Sequence, residues 1–277
     1  MTTFDEHREA PGYISEFAIL ANRYESRPEY PAAMVDHIST LIADLDPNLP
    51  AVDVGAGTGL FTRPLARGLV PRRHVIGLEP NPEMRRVAQE LSVGFGNIRF
   101  LDGVAEQLPF SSGSTALVAA ACAAHRFDRF AFFLESFRVL APRGWLALVE
   151  YRWGDSSGGI GGEIYSLLEA LVPGFRRNAH SNSAGRYEVF EPIAEIRQSG
   201  LFRDVHGSAF TWSVMKTPVQ VLDSVMALTP SLKAEAAIGE EEFATRVSRI
   251  VEKHIKKTGL VELPYLGLGC FASKETV

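Results

Sequence analysis

The sequence predicts an α/β fold: a doubly wound, mostly parallel sheet of seven strands with a helical cap. Three observations carry this expectation. From Ala51 to Glu150 short apolar runs alternate with amphipathic helical stretches, the pattern of a parallel sheet covered by helices on both faces. Within that region Ala51-Val52-Asp53-Val54-Gly55-Ala56-Gly57-Thr58-Gly59 stops an apolar run at three alternating glycines and restarts as a helix. After Glu150 the alternation lapses into long apolar sections of mainly helical periodicity, broken by two further strand-like runs, Val205 to Val214 and Tyr265 to Ser273.

The elements follow in order. Ile14, Phe17, Leu20 and Ala21 lie at helical spacings, as do Met34, Val35, Ile38, Leu41 and Ile42, and Pro28 and Pro31 separate the two helices. The first strand runs into the glycine stretch, and a helix follows over Thr62 to Gly68. His74 to Glu79 is the second strand. Asn81-Pro82 is a cap and first-turn signal for a helix through Leu91. Asn97 to Leu101 and the run Ala116 to Cys122 are the third and fourth strands. Phe130 to Leu140 is helical, Pro142-Arg143-Gly144 turns the chain, and Trp145 to Glu150 is the fifth strand. Gly154 to Gly162, with its five glycines, predicts a flexible loop or hinge, with helices over Ile164 to Leu171 and Ile193 to Ser199 beyond it.

Composition narrows the function classes. A chain of 277 residues suits one core with a substantial insertion. A net charge of -5 argues against a large nucleic-acid footprint. No stretch approaches the ~20 apolar residues of a membrane helix, and Met1 to Glu6 lacks the basic-then-apolar order of a secretory signal. Cys122 and Cys270 sit in apolar segments and read as reduced core residues. The expectation is a cytoplasmic, metal-independent protein with a small-molecule ligand and no nucleic-acid or membrane partner; homo-oligomerisation is left open. No zinc-ligand spacing, nucleophile elbow or Walker-type phosphate loop is present.

The glycine stretch carries the chemistry. Glycines allow a sharp turn and close approach of a ligand, and the free N–H groups at a helix start favour an anionic group. A dinucleotide loop would place its third glycine or alanine at position 60, where Leu60 stands. Glu79 ends the second strand about 20 residues on, the spacing at which an acidic side chain accepts ribose hydroxyls. Its alternative is a solvated strand-end carboxylate.

These features, taken with four more motifs in order, resemble the class I methyltransferases that use S-adenosylmethionine. The motifs are Asp53 to Gly59, the acidic Glu79, Gly103 to Phe110 (similar to G-x-A-E-x-L-P-F), His125-Arg126-Phe127-Asp128 (similar to H-W-F-D), and Arg138 to Gly144 (similar to R-V-L-K-P-G-G). Upstream, Ala21 to Pro31 resembles the A-x-x-Y-x-x-x-R-P-x-Y-P of the small-molecule branch that includes trans-aconitate methyltransferase-like proteins. The resemblance implies a Rossmann-like methyltransferase fold. Residues 1–50 would be a helical segment closing over the cofactor, 51–150 the cofactor-binding core, and 151–277 cap helices plus the last strands.

The cofactor implied is S-adenosyl-L-methionine, with S-adenosyl-L-homocysteine as product. Asp53, Gly55, Ala56, Gly57, Gly59 and Glu79 would form its site, with Met84 against the nucleoside or simply in the core. Val104, Ala105 and Glu106 would frame the adenine, although Val104 stands where the family often has an aspartate. Arg27 resembles the arginine that binds the donor carboxylate, and Tyr24 would line the same entrance with Tyr30. His125, at the end of strand four, would be catalytic as a general base; the bland alternative is a structural histidine. Tyr151 and Trp153 would border the acceptor pocket, while Arg176, Arg177, His180 and Arg186 read as a solvated basic run. The function expected is methyl transfer to an O, N or C atom of a small molecule by direct displacement. Its rivals are another reaction on the same fold, such as natural-product cyclisation or lyase chemistry, and a non-catalytic binding protein.

Overall fold

Strand β1 (Ala51–Val54) pairs in parallel with β2 (Val75–Leu78), and β2 with β3 (Ile98–Leu101). On its other side β1 pairs with β4 (Thr115–Ala121), and β4 with β5 (Leu140–Trp153), again in parallel. A short separate hairpin follows, β6 (Ala179–Ser181) with β7 (Tyr187–Val189). Strands β8 (Arg203–Lys216) and β9 (Val261–Ser273) return to the main sheet antiparallel, with β9 between β5 and β8. The order β3-β2-β1-β4-β5-β9-β8 is the expected seven-stranded, mostly parallel sheet. This computed structural model describes residues 20–21, 23–69, 73–155, 157–182 and 184–275. The first predicted helix lies outside them apart from Leu20 and Ala21.

The period-2 alternation of the central strands separates two cores. Val52, Val54, Val118, Ala120, Leu146 and Leu148 face one side, against Phe132 and Phe133 of α4 and Ile196 of α6 (α4 is Arg129–Val139, α6 is Pro192–Ser199). Ala51, Leu117, Ala119, Ala147 and Val149 face the other, against Met34 and Ile38 of α1 (Ala32–Leu41) and Leu65 of α2 (Thr62–Leu69). Residue types also set where helices begin. The Asn81 side chain accepts from the N–H groups of Glu83 and Met84 to start α3 (Pro82–Leu91), a cap worth about 1 kcal/mol.

The cap has a core of its own. It comprises α5 (Gly159–Leu171), α7 (Pro218–Met226), α8 (Thr229–Ile238) and α9 (Glu240–Glu252). Ile164, Leu168, Val225, Phe243 and Val247 are buried there together with Trp153 and Tyr265 from the ends of the sheet.

Three expectations are corrected. The glycine-rich stretch is not a hinge throughout, because Gly159 to Gly162 form the first turn of α5. A Cβ on Gly161 would lie 2.6 Å from the Trp153 Cβ, so glycine there permits close seating of the helix on the sheet end rather than flexibility. Pro142-Arg143-Gly144 is a kink inside β5, with Arg143 at φ 66°, rather than a turn that precedes it. The β6–β7 hairpin lies where only a solvated basic run was expected.

Candidate active site

The glycine loop is pinned from below by β2. At the end of β1 the N–H groups of Gly55 and Ala56 both donate to the Leu78 carbonyl, at 2.8 and 3.0 Å. Gly55 is in the left-handed region, and a Cβ there would lie 2.7 Å from that of Ala123, so glycine is required by both backbone and space. Glu79, just after β2, is buried. It accepts from the Gly57 N–H through Oε2 at 2.8 Å and from the Asn81 N–H through Oε1 at 2.9 Å. These two bonds hold the carboxylate fixed beside the glycine loop.

Over the loop lies the short turn Tyr24–Ser26, followed by Arg27. Tyr24, Arg27, Tyr30, Asp53, Gly55, Gly57 and Tyr151 enclose a cleft of about 20 Å³. The Arg27 guanidinium lies 4.7 Å from the Tyr24 ring centroid and 5.5 Å from that of Tyr151, and donates to the Tyr24 hydroxyl at 2.6 Å. Its Nε is buried without a hydrogen-bond partner. Across the same cleft Asp53 accepts from the Thr62 hydroxyl at 2.6 Å through Oδ2, while Oδ1 is buried and unpartnered. Burial, reinforced by the nearby Glu79 carboxylate, pushes the Asp53 carboxyl up to about 7, against the Thr62 hydrogen bond. A half-buried cation and a buried acid, each with an unmet polar atom, thus face one narrow space. Buried polar atoms are usually hydrogen-bonded, so both can pair with a molecule that enters the cleft.

The other expected contacts are placed as follows. Met84 is buried with Ala21 and Val87 against Tyr24, in a small core. Ala105 belongs to the core on the α4 face, and Val104 bridges to Gln107. Glu106 accepts from the Asp128 N–H at 2.9 Å, tying this loop to the start of α4. Gly59 donates its N–H to the Ala56 carbonyl within the loop.

His125 is not on strand four itself. Strand β4 ends at Ala121, Cys122 turns the chain at φ 50°, and His125 sits on the 3-10 turn Ala124–Arg126. Its buried Nδ1 is 3.1 Å from Oε1 of Glu150 on β5, and Nδ1 of His180 on β6 is 3.7 Å from Oε2 of the same carboxylate. The two imidazole centroids are 4.7 Å apart. Burial lowers the His125 pKa against the pull of Glu150. Burial alone would raise Glu150, but the facing histidines hold it below the usual carboxylate range. Neither Glu150 nor His180 was expected in a site. They stand 25 and 55 residues from His125 with no common motif, and only the β4–β5 pairing and the hairpin bring them together. The Cys122 thiol, pushed up to about 12 by burial, is neutral here.

Glu150 and His180 open onto a cavity of about 590 Å³ walled mostly by apolar side chains, among them Leu168, Phe175, Phe190, Ile193 and Tyr265. Tyr151 and Trp153 line it, as expected. Arg27 and Tyr151 form a wall shared with the narrow cleft, so the two spaces adjoin. Of the basic run, His180 turns into the cavity. Arg177 is instead paired with Glu169 at 2.6 Å.

Residues 52–148, from β1 into β5, match the family model described as a methyltransferase domain. This stretch of the chain is similar to a methyltransferase domain. The demethylmenaquinone methyltransferase of Chlorobaculum tepidum is 34% identical to it over 100 residues, 36% of this chain and 39% of that protein. An uncharacterized methyltransferase of Schizosaccharomyces pombe is 25% identical over 236 residues, 84% of this chain and 85% of its own. The chain spans less than half the length of the first curated relatives that it matches. A solved structure provisionally assigned as a type II methyltransferase, from Anaeromyxobacter dehalogenans, superposes with a TM-score of 0.61 at 19% identity, covering 90% of this chain and 97% of that one, and shows the shared fold. Within residues 52–148 the glycine loop, Glu79 and the β4 end stand at one edge of the sheet, where ligands of open α/β sheets bind. No described helix is long and apolar enough to cross a membrane.

Proposed function

We propose that this protein transfers a methyl group from S-adenosylmethionine to a small, largely apolar acceptor held in the 590 Å³ cavity. The observation that carries the reading is the pair of unmet polar atoms, Arg27 Nε and Asp53 Oδ1, on one cleft beside the glycine loop. A guanidinium and a carboxylate so placed suit the carboxylate and ammonium of an amino-acid zwitterion. The aromatic faces of Tyr24, Tyr30 and Tyr151 suit a sulfonium cation. Glu79 suits ribose hydroxyls, and Met84 with Val104 to Glu106 is the assigned nucleoside side. When bound, S-adenosylmethionine supplies an electrophilic methyl group and leaves as S-adenosylhomocysteine.

The protein's own contribution is alignment and exclusion of water. Arg27 and Tyr151, shared by cleft and cavity, set the boundary across which donor and acceptor meet; holding two reactants in line is worth up to ~7 to 11 kcal/mol. The apolar cavity wall selects an acceptor with an extended hydrocarbon or aromatic body. The acceptor atom is activated at the corner where Glu150 and His180 line the cavity with His125 behind them. The upstream stretch from Ala21 to Pro31, similar to the small-molecule branch, supports a small acceptor over a macromolecule.

The test uses S-adenosylmethionine labelled on its methyl group with a panel of apolar hydroxyl-bearing acceptors. Label should appear in one acceptor class with equimolar S-adenosylhomocysteine, and His125→Ala should lower turnover by at least about tenfold while leaving donor affinity within about twofold. Consumption of an acceptor with the donor intact would show that this fold has been turned to other chemistry.

A further inference from the structure

We infer that His125, Glu150 and His180 form a binding site for a divalent transition-metal ion of the zinc class, at the acceptor end of the cavity. Three residues from three separate elements converge with one ligand atom each, all within 4.8 Å of one another. Two imidazoles and one carboxylate make up a ligand set seen in open catalytic zinc sites, where a further position is left for water or substrate.

The spacings are within reach of a single ion and are not those of a fully closed hydrogen-bonded relay. A charge-assisted N–H···O bond closes to about 2.7–2.9 Å, whereas two ligands of one tetrahedral zinc, with bonds of about 2.0–2.2 Å, stand about 3.3–3.5 Å apart. His125 stands at 3.1 Å from one Glu150 oxygen, within hydrogen-bonding reach, whereas His180 stands at 3.7 Å from the other, beyond it, so drawing all three ligand atoms onto one ion needs only small side-chain shifts. A relay needs only one histidine. His180 comes from a hairpin outside the main sheet, yet its ring is brought against that of His125.

The cluster borders the cavity through Glu150 and His180, so an open coordination position would face the acceptor. The ion would bind an acceptor hydroxyl or enol oxygen and lower its pKa, with the released proton passing to water. The oxygen lone pair would then form the bond to the methyl carbon while the C–S bonding pair returns to sulfur. The acceptor class is therefore an oxygen nucleophile on an apolar body. This role rests on the methyl-transfer reading, whereas binding of the ion does not.

The test is titration of the full-length protein, stripped with chelator, with Co²⁺ followed by visible absorption. Wild type should bind one equivalent with the intense bands of a low-symmetry site, and Zn²⁺ should displace it. His180→Ala and Glu150→Gln should each weaken Co²⁺ binding by at least about tenfold while retaining the wild-type circular dichroism and S-adenosylmethionine affinity. Absence of stoichiometric Co²⁺ binding by wild type, or binding unchanged in folded variants, would overturn the proposal. Donor affinity is measured on the same samples. Loss of the metal site with donor binding intact would leave the methyl-transfer reading standing, and metal binding without donor binding would do the reverse.

Discussion

Asp53 shows how one buried side chain registers both stability and ligand. Its carboxyl is raised to about 7 by burial, so between about pH 4 and 7 the folded chain holds a proton that the unfolded chain has released. Stability contributed by this group is full below about pH 4 and falls as pH rises to about 7. Asp53→Asn keeps an acceptor for the Thr62 hydroxyl and removes the titration. In denaturant unfolding at several pH values, the stability difference between variant and wild type should grow in the variant's favour from pH 5 to 7, reaching a few kcal/mol. Arg27 is a half-buried guanidinium beside tyrosines, with no carboxylate in an ion pair with it among the described residues. Arg27→Met should raise the melting temperature of the donor-free protein and impair donor binding, a trade characteristic of a residue kept for its ligand. A melting temperature that falls would mark Arg27 as structural.

At the scale of elements, the turn Tyr24–Ser26 joins cap and core. Arg23 pairs with Glu235 on α8 and Glu240 on α9, Lys216 at the end of β8 donates to the Ser26 carbonyl, and Glu25 receives Arg63 at 2.6 Å and the Thr58 hydroxyl at 2.7 Å. With only about 20 Å³ between this turn and the glycine loop, entry of a nucleoside requires residues 23–30 to move. Amide exchange over 23–30 should slow on adding S-adenosylmethionine. Arg23→Ala, which frees the turn from the cap, should speed donor release several-fold with little loss of stability, because half-exposed ion pairs contribute at most about 1 kcal/mol. Exchange unaltered by the donor would refute closure by this turn. The parallel half of the sheet was legible because each strand is a short apolar run next to a capped helix: Asn81-Pro82 announced α3 directly. The start of α5 was not, since Gly159, Gly161 and Gly162 read as loop in sequence, and only the folded chain brings Asp155 against Gly159 and Asp155 and Trp153 against Gly161.

Across the whole molecule, two cores flank the sheet and a third lies inside the cap. The narrow cleft belongs to the sheet edge, whereas the 590 Å³ cavity is walled by both sheet and cap. This division explains what could be read in advance. The residues proposed to bind the donor cluster in local motifs between Tyr24 and Glu106, so Asp53, Glu79 and Arg27 could be named from spacing and resemblance. The acceptor end depends on β5 meeting the β6–β7 hairpin, a long-range contact that leaves no periodic trace, and so Glu150 and His180 escaped notice. The central claim is that S-adenosylmethionine binds between Arg27 and Glu79, and calorimetric titration of the donor into wild type, Arg27→Met and Glu79→Ala tests it most directly. Wild type should bind one equivalent, with each variant weakened about 10- to 100-fold, the loss expected for hydrogen bonds to charged groups. No binding to wild type at millimolar donor, or equal affinity in all three proteins, would contradict it.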